Sequence, residues 1–230
     1  AIADHDKAIE LDPKFIWAYY KSGHVYDKLG NYQQAISDYS KVIELNPTYG
    51  GAYNNRGRAY HELHEYVNAI ADYTKAIELD PKLASLAYNN RGNAKKYLGD
   101  NNGAIADYTQ AIEFYPKYAD AYYNRGLVKK DIGDKNEAIA DYTKAIELNP
   151  KLAEAYCNRG NIKDDLGDKE GAIADYTKAI ELNPQYVSAY YNRAIIYYNE
   201  GKKSLACADW HKAKELGHKN AAKAVENECK

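Results

Sequence analysis

The sequence predicts an all-α solenoid, a stack of helix hairpins each packed on the next. Proline recurs at Pro13, Pro47, Pro81, Pro116, Pro150 and Pro184, at spacings of 34, 34, 35, 34 and 34 residues. The block that ends on it is copied, as AIADYTKAIELDP around Tyr73 and AIADYTKAIELNP around Tyr142 and Tyr176. The block that opens each period reads AYNNRG, AYNNRG, AYYNRG, AYCNRG and AYYNRA. A fixed period of this length marks a repeat architecture, in which a unit buries its apolar face only against its neighbours.

Each period holds two helices. Tyr53, Gly57 and Tyr60 are spaced i, i+4, i+7, on one face of a first helix. Ala69, Tyr73 and Ala76 repeat that spacing on a second. Small residues at Gly57, Ala69 and Ala76 let helix axes approach, and the rings of Tyr53 and Tyr73 fill the space left. Leu98-Gly99-Asp100 and Ile132-Gly133-Asp134 read as the turns between paired helices. Proline then stops the second helix by biasing the residue before it away from helix. Six complete repeats follow, at 16–49, 50–83, 84–118, 119–152, 153–186 and 187–220. The third has one extra residue at its start, in the Lys82–Ala87 segment, where a local change in the angle between repeats is expected. Residues 1–15 read as the second helix of a truncated repeat, with Ala1, His5, Ala8 and Pro13 in its register. Residues 219–230 read as a capping helix, with Ala221, Ala222 and Val225 inward and Lys219, Lys223, Glu226 and Asn227 outward.

With Gly50 as position 1, Tyr53 falls at 4, Gly57 at 8, Tyr60 at 11, Ala69 at 20, Tyr73 at 24, Ala76 at 27 and Pro81 at 32. This resembles the tetratricopeptide repeat over nearly the whole chain. The resemblance implies a right-handed superhelix of helix-turn-helix repeats. It also implies a protein-interaction scaffold rather than an enzyme, with the first helix of each pair lining a concave, peptide-binding groove.

Composition narrows the partners. The 230 residues carry a formal net charge of −2, too little positive charge for general attraction to a phosphate backbone, so nucleic acid is not expected. No apolar run approaches the roughly 20 residues that span a bilayer, so no membrane partner is expected either. No secretory signal is visible, and a chain that begins at Ala1 without any Met is expected to be processed or part of something longer. Cys157, Cys207 and Cys229 lie in unrelated settings and read as free thiols, which favours a reducing, cytoplasmic location. His61-Glu62-Leu63-His64 lacks the spacing of a zinc-protease helix and reads as solvated surface. No glycine-rich phosphate loop or catalytic constellation appears, and no cofactor or metal is expected. Asp72, Asp107, Asp141 and Asp175 recur once per repeat, as structural partners do.

The candidate site is the groove. Position 6 points about 160° from the buried tyrosine of position 4. It holds Lys21, Asn55, Asn90, Asn124, Asn158 and Asn192. Asparagine in mid-helix is unfavourable by roughly 0.5 kcal/mol relative to alanine. Its amide can pair with both N–H and C=O of an extended backbone. The row resembles the asparagine ladder of the tetratricopeptide region of O-linked N-acetylglucosamine transferase. The competing reading is that duplication copied the asparagines with everything else. Against it, position 5 has drifted through Tyr20, Asn54, Asn89, Tyr123, Cys157 and Tyr191, and position 9 through His24, Arg58, Asn93, Leu127, Asn161 and Ile195. Arg56, Arg91, Arg125, Arg159 and Arg193 at position 7 also stayed, and pairing with the aspartate at position 23 would explain them.

Arg58, Lys96 and Lys130 supply positive charge to the groove, and Asp120, Asp131, Glu154, Asp164 and Asp165 form an acidic patch toward its C-terminal half. The patch favours a partner with a basic segment; the alternative is an ordinary solvated face. Asn93 and Asn161 fit the pattern of a chaperone-tail clamp, but no lysine at position 5 and no arginine at position 6 supplies its charge. Two further expectations stand beside the scaffold. One is self-association through the N-terminal half-repeat, whose apolar face carries Ile2, Ile9 and Leu11; the other is an adaptor region of a larger enzyme.

Overall fold

The structure, a computed structural model, describes residues 2–229, without the side chains of Ile2, Ala3 and Asp6. The register position assigned to Ala1 and the apolar contribution of Ile2 therefore lie outside what is described. Among the described residues there is no strand, and the fold is an all-α solenoid of consecutive helix pairs. The helices are α1 (Ile2–Leu11), α2 (Ile16–Lys28), α3 (Tyr32–Leu45), α4 (Gly50–Glu62), α5 (Tyr66–Leu79), α6 (Ala84–Tyr97) and α7 (Asn101–Phe114). They continue with α8 (Ala119–Asp131), α9 (Lys135–Leu148), α10 (Ala153–Asp165), α11 (Lys169–Leu182), α12 (Val187–Asn199), α13 (Lys203–Glu215) and α14 (Lys219–Glu228). The chain forms two compact units, residues 1–128 and 129–230.

The turns inside pairs follow from backbone sterics. Gly30, Gly99, Gly133, Gly167 and Gly201 take positive φ there, the left-handed region open to glycine. In the second repeat the same place is held by His64, with φ of 61°. Asp100 and Asp168 cap α7 and α11 by accepting hydrogen bonds from the Gly103 and Gly171 amides, both at 2.9 Å. The extra residue of the third repeat is absorbed locally. Pro81–Leu83 tightens into a 3-10 turn, and α6 runs 14 residues where α4 and α8 run 13.

The core of each unit alternates small and large residues. Tyr39, Tyr73, Tyr108, Tyr142 and Tyr176 are fully buried, each contributing on the order of 2 kcal/mol. Glycine of the paired first helix gives the ring its room: a Cβ on Gly57 would stand 3.0 Å from Tyr73 Cδ1, and one on Gly160 2.9 Å from Tyr176 Cε1. In the last pair Ala194 stands for glycine and Trp210 for tyrosine, and the two share a cluster with Ala206, Ala213 and Ala221.

The arginine at position 7 ties three helices together. Arg91 donates to Asp107 from Nε (2.8 Å) and Nη2 (2.7 Å), and from Nη1 to Thr74 Oγ1 of the preceding repeat (2.9 Å). Arg56, Arg159 and Arg193 repeat this fork on Asp72, Asp175 and Asp209, each with a hydroxyl of the preceding repeat, Ser40, Thr143 or Thr177. A lysine closes the other side of two of these buried carboxylates, Lys95 on Asp107 (2.8 Å) and Lys163 on Asp175 (2.9 Å). The recurrent aspartates are thus occupied by the framework.

Two expectations are corrected. Cys207 and Cys229 are joined by a disulfide between α13 and the end of α14, so only Cys157 is a free thiol. Burial pushes the Cys157 thiol up to about 11, against a hydrogen bond with Tyr186 that lowers it. The His61–His64 segment is not simply solvated. His61 packs edge-on against Tyr66 and Tyr97, its Nε2 is buried without a hydrogen-bond partner, and burial lowers its pKa. His64 is exposed, and its Nδ1 lies 2.8 Å from the Tyr66 hydroxyl.

Candidate functional site

Position 6 is neither sealed in the stack nor fully bathed in solvent. Lys21, Asn55, Asn90, Asn124, Asn158 and Asn192 are all half-buried. Position 5 lies deeper: Asn54, Asn89 and Cys157 are buried, Cys157 within the hydrophobic core.

In the N-terminal unit the amides are tied sideways to the adjacent repeat. Asn55 Nδ2 donates to the Tyr20 hydroxyl at 3.0 Å, and Asn124 Nδ2 donates to Asn89 Oδ1 at 3.1 Å. Each bond uses one amide hydrogen; Asn55 Oδ1 also accepts from Asn54 Nδ2 at 3.3 Å, so Asn55 offers mainly its second hydrogen, while Asn124 offers Oδ1 and its second hydrogen. Asn93 at position 9 has a structural duty as well, accepting from the buried Tyr108 hydroxyl at 2.8 Å. Burial raises the Tyr108 pKa, which keeps the hydroxyl a donor. Asn90, Asn93, Arg58, His61, Glu62 and Tyr73 line a cavity of about 140 Å³. Arg58 forms an ion pair with Asp27 of the preceding repeat, and Lys96 stands over the Tyr97 ring at 5.4 Å.

The C-terminal unit repeats the arrangement with opposite charge. Asn161, Asp164, Asp165, Tyr176, Asn192 and Ile195 line a cavity of about 230 Å³. Asn161 Oδ1 accepts from both the Tyr176 hydroxyl and Asn192 Nδ2, each at 2.9 Å. Both its lone pairs are used, and its amide N–H groups are what it can offer. The aspartates are partly compensated: Asp164 pairs with Lys169, Asp165 with Lys135 at 2.9 Å, and Asp131 with Lys130 at 3.5 Å. Pairs this exposed contribute about 1 kcal/mol or less and can be exchanged for a ligand's cation. Asp120 and Glu154 are exposed.

The structure thus brings Asn90, Asn93 and Arg58 to one cavity and Asn161, Asn192, Asp164 and Asp165 to another. Lys28 follows Lys21 and His24 along α2, at spacings of three and four residues, and Trp17 stacks on Tyr20 at 5.8 Å; the repeat pattern singled out neither. Among the described residues no group of three His, Cys, Asp or Glu side chains could hold a metal ion, and no helix is long and apolar enough to cross a membrane.

Among solved structures, MamA is 29% identical over 70% of this chain and 94% of its own, with a TM-score of 0.65. YrrB, described as a TPR protein with an unusual peptide-binding site, is 22% identical over 84% of this chain and 99% of its own, at 0.65. PilF of Pseudomonas aeruginosa is 18% identical over 97% and 98%, at 0.80. The last two likenesses show the fold alone. No curated protein sequence matches the chain. Tetratricopeptide-repeat family models match residues 16–49, 51–83, 119–152 and 153–186, with a further one at 175–208 and a TPR repeat model at 92–133. With most of its length matched by these models, the chain belongs to the tetratricopeptide-repeat family.

Proposed function

We propose that the chain is a non-catalytic protein-interaction scaffold whose position-6 asparagines hold an extended segment of a partner protein. The observation that carries this reading is the half-buried amide row, in which Asn55, Asn124 and Asn192 each have one amide hydrogen fixed by the neighbouring repeat and Asn90 and Asn192 line cavities. An amide oriented beforehand loses little entropy when it pairs with a peptide backbone. The peptide-binding site ascribed to YrrB supports the same use of the fold. In the C-terminal unit, Asp164 and Asp165 beside Asn161 and Asn192 favour a segment carrying Lys or Arg, acting mainly on association rate and register.

The test is selection of peptides from a displayed random library on the intact chain, followed by affinities for single variants. Asn192→Ala is the informative change, because Asn161 keeps its bond from Tyr176 when Asn192 is lost. The expected result is affinity weakened roughly tenfold, the value of one or two hydrogen bonds, with unchanged helicity. Selected peptides that bind Asn158→Ala and Asn192→Ala as well as the parent would overturn the ladder. A library that yields no binder would overturn the peptide groove.

A further inference from the structure

The N-terminal unit carries a second recognition feature, of opposite sign to the acidic cavity. Lys21, His24 and Lys28 form one stripe of α2, and Arg58 on α4 joins it through Asp27. We propose that this face docks an acidic segment of a partner protein, its side-chain carboxylates lying along Lys21, His24, Lys28 and Arg58 and its backbone on the adjoining asparagines.

Charge accounting supports it. Lys21, Lys28 and Arg58 bring three positive charges, and Asp27, a buried carboxylate, answers only Arg58. Glu62, which lines the same cavity as Arg58, offsets one more, so one formal charge is left over before any protonation of His24. The imbalance is felt at His24, whose pKa is lowered by burial and then by Lys28, Arg58 and Lys21 in turn. An imidazole pressed by three cations sits in a positive field that an incoming carboxylate would relieve. Lys21 rests on an aromatic ring instead of a carboxylate, its Nζ 4.5 Å from the centre of the Trp17 ring. Trp17 is 51% exposed and stacks on Tyr20 at 5.8 Å, so an apolar platform adjoins the cations. Next along α4, Arg58 lines the cavity that also holds Asn90 and Asn93. A mixed face of cations, an aromatic plate and amides fits an acidic peptide with an apolar residue. A nucleic acid strand would need a longer positive track than a chain of net charge −2 provides.

The inference rests on the reading that this face binds peptides, and the two fail separately. The ladder is tested by Asn192 in the C-terminal unit, the acidic dock by Lys28 in the N-terminal one. Trp17 supplies a local reporter, since Trp210 is buried. An end-capped peptide of alternating Glu and Ala is titrated into the full chain, with the Gln–Ala peptide, the Lys–Ala peptide and an oligothymidylate as comparators. The expected result is a saturable change in Trp17 emission with the Glu–Ala peptide alone. It should weaken roughly tenfold in Lys28→Glu, an exposed position, at unchanged helicity, and weaken with added salt. No saturable change, equal binding of the Gln–Ala peptide, equal binding of the oligothymidylate, or affinity within about twofold of the parent in Lys28→Glu would each overturn it.

Discussion

Gly92 lies directly against the ring of Tyr108: a Cβ added to the glycine would stand 2.8 Å from Cε1 and 3.0 Å from Cδ1. The ring cannot retreat, because Tyr108 is fully buried and its hydroxyl is held by Asn93. Replacing Gly92 with alanine therefore sets two effects against each other. Alanine favours helix by about 1 kcal/mol, and overpacking a filled core costs about 1–3 kcal/mol. The packing effect should win, so Gly92→Ala is expected to destabilise by about 1–2 kcal/mol. Gly51→Ala is the control. Its added Cβ would meet nothing closer than Tyr49 at 3.5 Å, so the helix preference should act alone and raise stability by about 0.5–1 kcal/mol. Urea unfolding of both variants followed by circular dichroism decides it; shifts of the same sign would refute the packing account.

Arg91 is expected to matter more to stability than to binding. Its guanidinium is half-buried, stacks over Tyr88 at 5.2 Å and satisfies Asp107 and Thr74 together. Arg91→Ala leaves a buried carboxylate with Lys95 alone, a loss of about 3 kcal/mol, at the lower end for a broken buried pair. Arg91→Lys should recover little of it, because an ammonium cannot make the fork or the stack. Lysine restoring parental stability in the same unfolding measurement would show that charge alone matters there.

Half-buried His61, with its Nε2 buried, predicts an acid-sensitive N-terminal unit. The His61 pKa is lowered below the ordinary 6.5, first by burial and then by His64 and Lys96, against a raising effect of Glu62. The unfolded chain therefore binds a proton that the folded one refuses, so the contribution is whole above pH 6.5 and is lost as pH falls toward the folded value. His24 acts in the same direction. Stability should fall as the pH drops below about 6.5, and His61→Phe, placing an uncharged ring beside Tyr66 and Tyr97, should flatten part of that slope. An unchanged slope in His61→Phe would mean that His61 is solvated after all.

These cases mark what the sequence could and could not say. The proline beat, the glycine–tyrosine complement and the arginine–aspartate pairing were legible because each is copied from repeat to repeat, and copying turns a contact into a pattern. The asparagine row was legible as a row. Its sideways bonds, Asn55 to Tyr20 and Asn124 to Asn89, were not, because they depend on side-chain rotation between repeats. His61 and the Cys207–Cys229 bond escaped for a related reason. Both belong to places where the chain departs from its own repeat, the second turn with His64 in place of glycine and the C-terminal helix outside the period.

The disulfide should act as a clamp on that C-terminal helix. The apolar face of α14 is small: Ala221 is buried, and Ala224 and Val225 are partly buried against the cluster that holds Trp210 and Ala213. A face of that size holds ten residues weakly. Cys229 fastens the helix to Cys207 across 22 residues, and closing a loop of about that length is worth about 3 kcal/mol in the chain-entropy account. Reduction, or the double change Cys207→Ser with Cys229→Ser, is expected to raise amide hydrogen exchange throughout α14. Exchange in α2–α5 should stay as it was, because a repeat stack transmits little beyond its nearest neighbours. Cys157 gives the internal check: its thiol, buried and raised to about 11, should resist alkylation in the folded chain with or without reductant. If α14 keeps its protection after reduction while Cys157 remains unlabelled, packing alone holds the helix and the clamp is dispensable.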